Sequence, residues 1–177
     1  MTTASKAVLS RASAVRLAVF DVDGVLTDGR LYLGRDGLEL KTFHTHDGLG
    51  LKALMRHDIT VAVITARRSE LVADRMRELG IEHLVQGCKD KRAALDELVE
   101  SLALSLAQVA YTGDDLIDWP AMSVCGLKCA PADANDWILE QADFVSRRGG
   151  GRGAVREVCE LILHAGGQLE AWQDSFR

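Results

Sequence analysis

Asp21 and Asp23, separated by one residue and followed by Gly24, are the residues of this chain best suited to chemistry. Carboxylates at i and i+2 of an extended segment point the same way, and the glycine lets the chain turn tightly straight after them. They follow Leu17-Ala-Val-Phe20, apolar at every position, which suits a strand buried on both faces of a parallel sheet. In an open α/β sheet the carboxyl ends of the strands face the ligand crevice. Two later apolar runs also end on polar residues, Ile59 to Ile64 on Thr65-Ala66-Arg67 and Val109 to Thr112 on Gly113-Asp114-Asp115. Three strand ends therefore bring acids, a hydroxyl and a cation to one crevice.

The elements that must carry these ends follow from periodicity and punctuation. Residues 30 to 46 place apolar side chains at 31 and 33, then at 38, 40 and 43, around Gly34-Arg-Asp-Gly37, a hairpin pattern. A helix is predicted from Asp47 to about His57, with Leu49, Leu51, Leu54 and Met55 as its apolar positions. Ser69 can cap a helix that runs to Leu79 and stops at Gly80. A short strand over 82–86, a helix from Lys89 to about Leu104, and strands over 109–112, 127–130 and 143–145 follow. Helices near 135–141 and over Ala154 to His164 complete the pattern, with Pro120 near a further helix start. Strands separated by helices predict an α/β fold with a doubly wound, mostly parallel sheet and a hairpin inserted after the first strand.

A chain of 177 residues with 47% apolar composition predicts a single domain over 1–177, flanked by an N-terminal arm (1–14) and a C-terminal tail (165–177). No apolar run reaches the roughly 18 to 20 residues of a membrane span, and residues 1–16 lack the core of a signal peptide, which predicts a cytoplasmic protein. Cys88, Cys125, Cys129 and Cys159 form no C-x-x-C pair, so reduced thiols are expected. A net charge of -5 gives no general attraction to nucleic acid or membrane, and any phosphate must be bound by a local cluster.

The extended pattern Asp21-x-Asp-Gly-x-Leu-Thr-Asp-Gly29 resembles motif I of the haloacid dehalogenase superfamily of phosphohydrolases. The resemblance implies that Asp21 is a nucleophile and Asp23 a general acid/base. Thr65 matches motif II, a hydroxyl that holds a phosphoryl oxygen. Lys91, in Gln86-Gly-Cys-Lys-Asp-Lys91, matches the charge-neutralising lysine of motif III, with Lys89 as the competing choice. Gly113-Asp114-Asp115-x-x-Asp118 matches motif IV. Mg²⁺ is then expected on Asp21, the backbone carbonyl of Asp23, and Asp114. The set suits hydrolysis of a phosphate monoester through an aspartyl phosphate, which needs an ionised Asp, a means of neutralising the phosphoryl oxygens, and a proton donor for the leaving oxygen.

About forty residues separate Asp23 from Thr65 and about twenty-five separate Thr65 from Lys91, room for a hairpin and a helix but not for the mobile cap of many relatives. Another subunit is the expected roof, since a covalent acyl phosphate needs water controlled. This capless layout, with Ile64-Thr-Ala-Arg67, Gly113 to Pro120, Ala142 to Val145 and Gly150 to Val158, resembles the 3-deoxy-D-manno-octulosonate 8-phosphate phosphatase family. That resemblance implies release of the acid sugar of lipopolysaccharide from its 8-phosphate by a homotetramer. It also implies a substrate site lined by Asp23, His44, Thr45, His46, Asp47, Gly48, Lys52, Arg67, Arg75, Lys91 and Asp115. His44, His46 and Lys52 depart from the Asn, Arg and Arg often found there, and His46 would be a weaker, pH-dependent cation; both histidines also suit a solvated hairpin end. Gly149 to Gly153, with Arg147, Arg148 and Arg152, reads as a solvated loop or as an anion clamp in which Arg152 reaches its own or a neighbouring site.

Two alternatives stand beside this reading. One is a phosphatase for a nine-carbon keto-acid sugar; the other is a non-catalytic assembly module, against which the intact set Asp21, Asp23, Thr65, Lys91 and Asp114 argues. Leu31, Leu33, Leu38, Leu40 and Phe43 give the hairpin more apolar surface than so small a domain can bury, which predicts a closed homo-oligomer, a tetramer, packed through the hairpins.

Overall fold

Strand β1 (Leu17–Phe20) lies near the middle of a six-stranded sheet in the computed structural model, which describes residues 4–35 and 38–177. The other strands are β4 (Thr60–Thr65), β5 (His83–Gln86), β6 (Val109–Thr112), β7 (Leu127–Ala130) and β8 (Phe144–Val145), in the spatial order β5-β4-β1-β6-β7-β8. Every pairing is parallel, and Leu17 stands opposite both Thr60 and Val109. The chain builds outward from β1 through β4 to β5, then returns to the other side of β1 with β6. The switch point, where ligands bind in such sheets, is therefore the carboxyl end of β1.

Alternation along β1 assigns the two layers. Ala18 and Phe20 face a core with α1 (Lys6–Ser13), α2 (Thr45–Arg56), α3 (Glu70–Leu79), α7 (Ala154–Ala165) and α8 (Leu169–Asp174). Leu17 and Val19 face a second core with α4 (Lys91–Ser101), α5 (Trp119–Met122) and α6 (Asp136–Gln141). All four β1 side chains are buried, as an apolar run between two helical layers requires. The predicted fold class is the observed one. Among the described residues, Cys125, Cys129 and Cys159 are buried, Cys88 is half-buried, and all four are free thiols.

Several expectations need correction. Residues 6–13 of the arm form helix α1, capped by Ser5, whose hydroxyl accepts from the Val8 amide at 3.3 Å; Ala12 is buried and Val8 and Leu9 pack beside it. The tail forms α8, with Leu169 and Trp172 buried. Both are short helices whose stability comes from packing rather than from a legible period. Helix α2 starts at Thr45 because His44 caps it, its Nδ1 accepting from the His46 amide at 3.2 Å. Helix α4 starts at Lys91, where Asp90 caps it by accepting from the Ala93 amide at 3.0 Å. Ser69 occupies the predicted cap position but makes no cap; its hydroxyl donates to Glu39 instead.

The hairpin is real but brief. Strands β2 (Tyr32–Leu33) and β3 (Glu39–Leu40) pair antiparallel as a separate sheet, and Asp36 and Gly37 of the expected turn lie outside the described residues. Leu31, Leu33, Leu38 and Leu40 are 49 to 69% exposed, whereas Phe43 packs against the first core. Gly149 to Gly153 is not a solvated loop. Its Gly151 amide donates to the Val25 carbonyl at 3.0 Å and its Gly150 amide to Asp133 Oδ1 at 2.8 Å. A side chain at Gly150 would strike the Gly24 carbonyl oxygen. The run leads directly into α7, whose buried Val155, Val158, Cys159 and Ile162 make it part of the core.

Candidate active site

At the carboxyl end of β1 the chain leaves the sheet at Asp21 and turns over Val22–Leu26. Asp21 is 4% exposed; its Oδ1 accepts from the Val22 amide at 2.7 Å, which fixes the carboxylate at the start of the turn. Gly24 has φ of +88°, and a Cβ there would collide with the Asp114 carboxylate. The turn therefore needs glycine twice, for its backbone and for the closeness of the loop that follows β6.

Lys91, the first residue of α4 and 3% exposed, reaches Asp21 Oδ2 at 2.9 Å and Asp118 Oδ1 at 2.7 Å. Asp118 is wholly buried. It also accepts from the Tyr111 hydroxyl at 3.0 Å and, through Oδ2, from the Asp114 amide at 3.1 Å. Strand β6 thus supplies Tyr111 from within and Asp114 from its end, and Asp118 ties both to the lysine. One carboxylate oxygen from each of Asp21, Asp114 and Asp118 lies within 4.8 Å of the others. Burial, then the charges of Asp118 and Asp21, push the Asp114 carboxyl up to about 8. Burial and Asp118 likewise push Asp21 up to about 6, against the pull of Lys91. For Lys91, burial works against the ammonium, but the two carboxylates outweigh it and hold its pKa above the ordinary lysine range. Three acids share one ammonium, so the cluster carries excess negative charge in a poorly solvated place, and a hard divalent cation on oxygen ligands would offset it.

A profile of the haloacid dehalogenase-like hydrolases matches residues 83–150. The 3-deoxy-D-manno-octulosonate 8-phosphate phosphatase of Escherichia coli K12 is 51% identical over 163 residues, 92% of this chain and 87% of that protein. The crystal structure of the Yersinia pestis enzyme of that name superposes with a TM-score of 0.92 at 52% identity, covering 93% of this chain and 89% of that one. The chain belongs to the 3-deoxy-D-manno-octulosonate 8-phosphate phosphatase family. The Moraxella catarrhalis member of this family, solved in complex with magnesium, phosphate and the KDO molecule, superposes with a TM-score of 0.94 at 40% identity, covering 96% of this chain and 98% of that one.

Against that family pattern, the residues expected from sequence fall into three groups. Asp21, Asp23, Thr65 and Asp114 follow or close strand ends around the switch point, and Lys91 at the start of α4, rather than the exposed Lys89, meets Asp21. Arg67 joins them, its Nε 3.7 Å from Asp23 Oδ2. His44, Thr45, His46 and Lys52 lie on the first turns of α2, the two histidine rings edge to face at 4.8 Å, and Asp115 is exposed with Oδ1 accepting from the Leu116 amide at 2.8 Å. Asp47, Arg75 and Arg152 are placed otherwise. Asp47 is 1% exposed and its Oδ1 accepts from the Arg156 amide at 2.8 Å, so it serves the start of α7 and is closed to a ligand in this chain. Arg75 lies over the Phe43 ring, beside Gly48, and pairs with Glu78 at 2.7 Å. Arg152 is exposed on the glycine run, while Arg147 and Arg148 approach Glu157 of α7 at 3.3 and 3.7 Å.

Four participants had no expected role. Asp118 was legible as the third acid of its motif. Tyr111 reads as an ordinary core residue of β6. Lys41 and Glu39 lie on β3 or beside it, and only their alternation with Leu38 and Leu40 hints that they face inward.

Proposed function

We propose that this chain hydrolyses 3-deoxy-D-manno-octulosonate 8-phosphate to the free acid sugar and phosphate, the step that releases this sugar for lipopolysaccharide synthesis. The observation that carries the reading is the buried Lys91 ammonium between Asp21 and Asp118, a charge arrangement suited to a phosphoryl group on Asp21; the family relatives supply the substrate. Asp21 attacks phosphorus as the ester bond breaks, and Asp23 gives its proton to the departing sugar oxygen. Asp23 then takes a proton from the water that cleaves the acyl phosphate, returning Asp21 to its starting state. Lys91 and the Thr65 hydroxyl hold phosphoryl oxygens, and Asp118 holds Lys91. Asp21, Asp114 and the carbonyl of Asp23 are suited to hold Mg²⁺, which when bound neutralises the phosphoryl oxygens. Asp118 is committed to Lys91, Tyr111 and the Asp114 amide and stands behind them.

His44, Thr45, His46, Gly48, Lys52, Arg67 and Asp115 are the residues for the sugar and its carboxylate, with Arg75 and Arg152 serving a site of the assembly. The whole chain acts as one domain in a homotetramer joined through the exposed hairpin leucines, apolar side chains that a lone subunit leaves in water. Among the described residues no helix is long and apolar enough to cross a membrane, in keeping with a cytoplasmic enzyme. Phosphate release measured with Mg²⁺ across eight- and nine-carbon keto-acid sugar phosphates tests the reading; preference for a nine-carbon substrate would replace it. Sedimentation at micromolar concentration tests the assembly, and a fully active monomer would overturn it.

A further inference from the structure

The Lys41 side chain is 2% exposed, and its ammonium contacts Asp23 Oδ1 directly. A lysine buried to that extent is rare unless paired, and the only acids recorded beside it among the described residues are Asp23 and Glu39, the latter with Oε1 at 3.7 Å. Glu39 is itself held on the other side, where its Oε2 accepts from the Ser69 hydroxyl at 3.0 Å and its Oε1 lies 3.6 Å from Arg67 Nη2. The row therefore runs from the loop after β4, through the hairpin, to the acid at the end of β1. Strand periodicity accounts for it: Leu38 and Leu40 turn outward at 58 and 56% exposure, so Glu39 and Lys41 must turn inward.

The two oxygens of Asp23 are thereby made unequal. Oδ1 is engaged by Lys41, while among the described residues the charged partner of Oδ2 is the Arg67 guanidinium, at 3.7 Å and beyond a normal hydrogen bond. We propose that Lys41, braced by Glu39, is a positioning residue that fixes the Asp23 carboxyl so that Oδ2 is the oxygen exchanging a proton with the departing sugar oxygen. The inference rests on the phosphatase reading above, in which Asp23 is the acid. A proton donor must sit within hydrogen-bond reach of its acceptor, and small misplacements cost large factors in rate. The hairpin then has two functions, an outer face for assembly and an inner row for catalysis.

The test compares kcat/KM, which reads only as far as phosphoenzyme formation, for 3-deoxy-D-manno-octulosonate 8-phosphate and for 4-nitrophenyl phosphate, whose leaving group needs no proton. Lys41→Met keeps the aliphatic volume and removes the ammonium. It should lose about 10- to 30-fold on the sugar phosphate, a fraction of the 10²- to 10⁴-fold that acid–base catalysis contributes, and less than about 3-fold on the aryl phosphate. Lys41→Arg, which restores a donor, should recover most of the sugar-phosphate rate. Asp23→Asn, run alongside, separates the two ideas. If Asp23→Asn is selective for the sugar phosphate and Lys41→Met loses equally on both, or Lys41→Arg restores nothing, the positioning role is wrong and the phosphatase reading stands. If Asp23→Asn is itself unselective, Asp23 is not the acid and both fall.

Discussion

The end of β1 and the start of α2 both carry residues proposed for the reaction, yet they are built in opposite ways. Around Asp21 the central charges are buried and held: Asp21, Lys91 and Asp118 are closed to solvent, Lys91 has two carboxylates within 2.9 Å, and Asp118 accepts from a lysine, a tyrosine and a backbone amide. From His44 to Lys52 the accessible polar side chains have few partners among the described residues; Thr45 and His46 are exposed, and the His44 ring accepts from the His46 amide of its own helix turn. The first region can stabilise a charge that develops in one fixed place, because its dipoles and ions need not reorganise. The second can discriminate among sugars only once something orders it, either the substrate or another subunit. On the proposed reading, phosphoryl chemistry is written into the single chain, and specificity is left to its surface.

The contrast can be broken most severely at Asp21. Asp21→Asn should leave the circular dichroism spectrum unchanged and lower turnover by three decades or more, about 4 kcal/mol of transition-state stabilisation, because an amide neither attacks phosphorus nor ligates Mg²⁺ well. Near-normal phosphate release would remove it as nucleophile. Lys91→Met attacks the same region through its compensation. It leaves Asp21 and Asp118 as neighbouring buried acids, so activity should fall about a hundredfold and thermal unfolding of the metal-free protein should show a loss of about 3 kcal/mol. An unshifted melting temperature would mean that the buried pair is not a pair in solution.

In the looser region the expected effects are smaller and depend on substrate. Arg67→Ala should raise KM for the acid sugar phosphate about tenfold, the value of one charge-assisted hydrogen bond, and change an aryl phosphate little. An equal penalty on both would assign Arg67 to the Asp23–Glu39 row instead. The smallest effect is expected farthest from the site, where Asp143 joins the half-exposed Arg11 of α1 to Lys128 of β7 at 2.8 Å. Burial raises the Asp143 carboxyl, but the Lys128 hydrogen bonds and charge outweigh it and hold it below the usual carboxylate range. Its contribution is therefore present above the unfolded pKa of about 4 and is lost as pH falls through the lower folded value. Asp143→Asn should cost about 1 kcal/mol or less near neutrality and nothing in strong acid; a penalty that persists in acid would make the site a matter of packing.

The catalytic end was legible because its residues sit where an apolar strand stops, and such a stop is a local property of the chain. Leu17 to Phe20 had to be a buried strand, Asp21 had to leave its carboxyl end, and Gly24 had to turn the chain, whatever else surrounded them. Gly80, with φ of +80°, ends α3 for an equally local reason. What joins distant segments was not legible. The motif named Lys91 ahead of Lys89, but its contact with Asp21 depended on Asp90 starting a helix there, and the use of Asp118 depended on a tyrosine hydroxyl inside β6. Asp47, given to the substrate site by the family resemblance, is met by the first turn of α7, more than a hundred residues later. The glycine run suited a solvated loop because glycine leaves the backbone free, yet Gly150 is glycine here because the backbone of the turn at Gly24 passes where a side chain would be. Strand ends and turns follow from neighbours in sequence; ion pairs and close backbone approaches follow from neighbours in space, and those exist only once the sheet and its two helical layers have assembled.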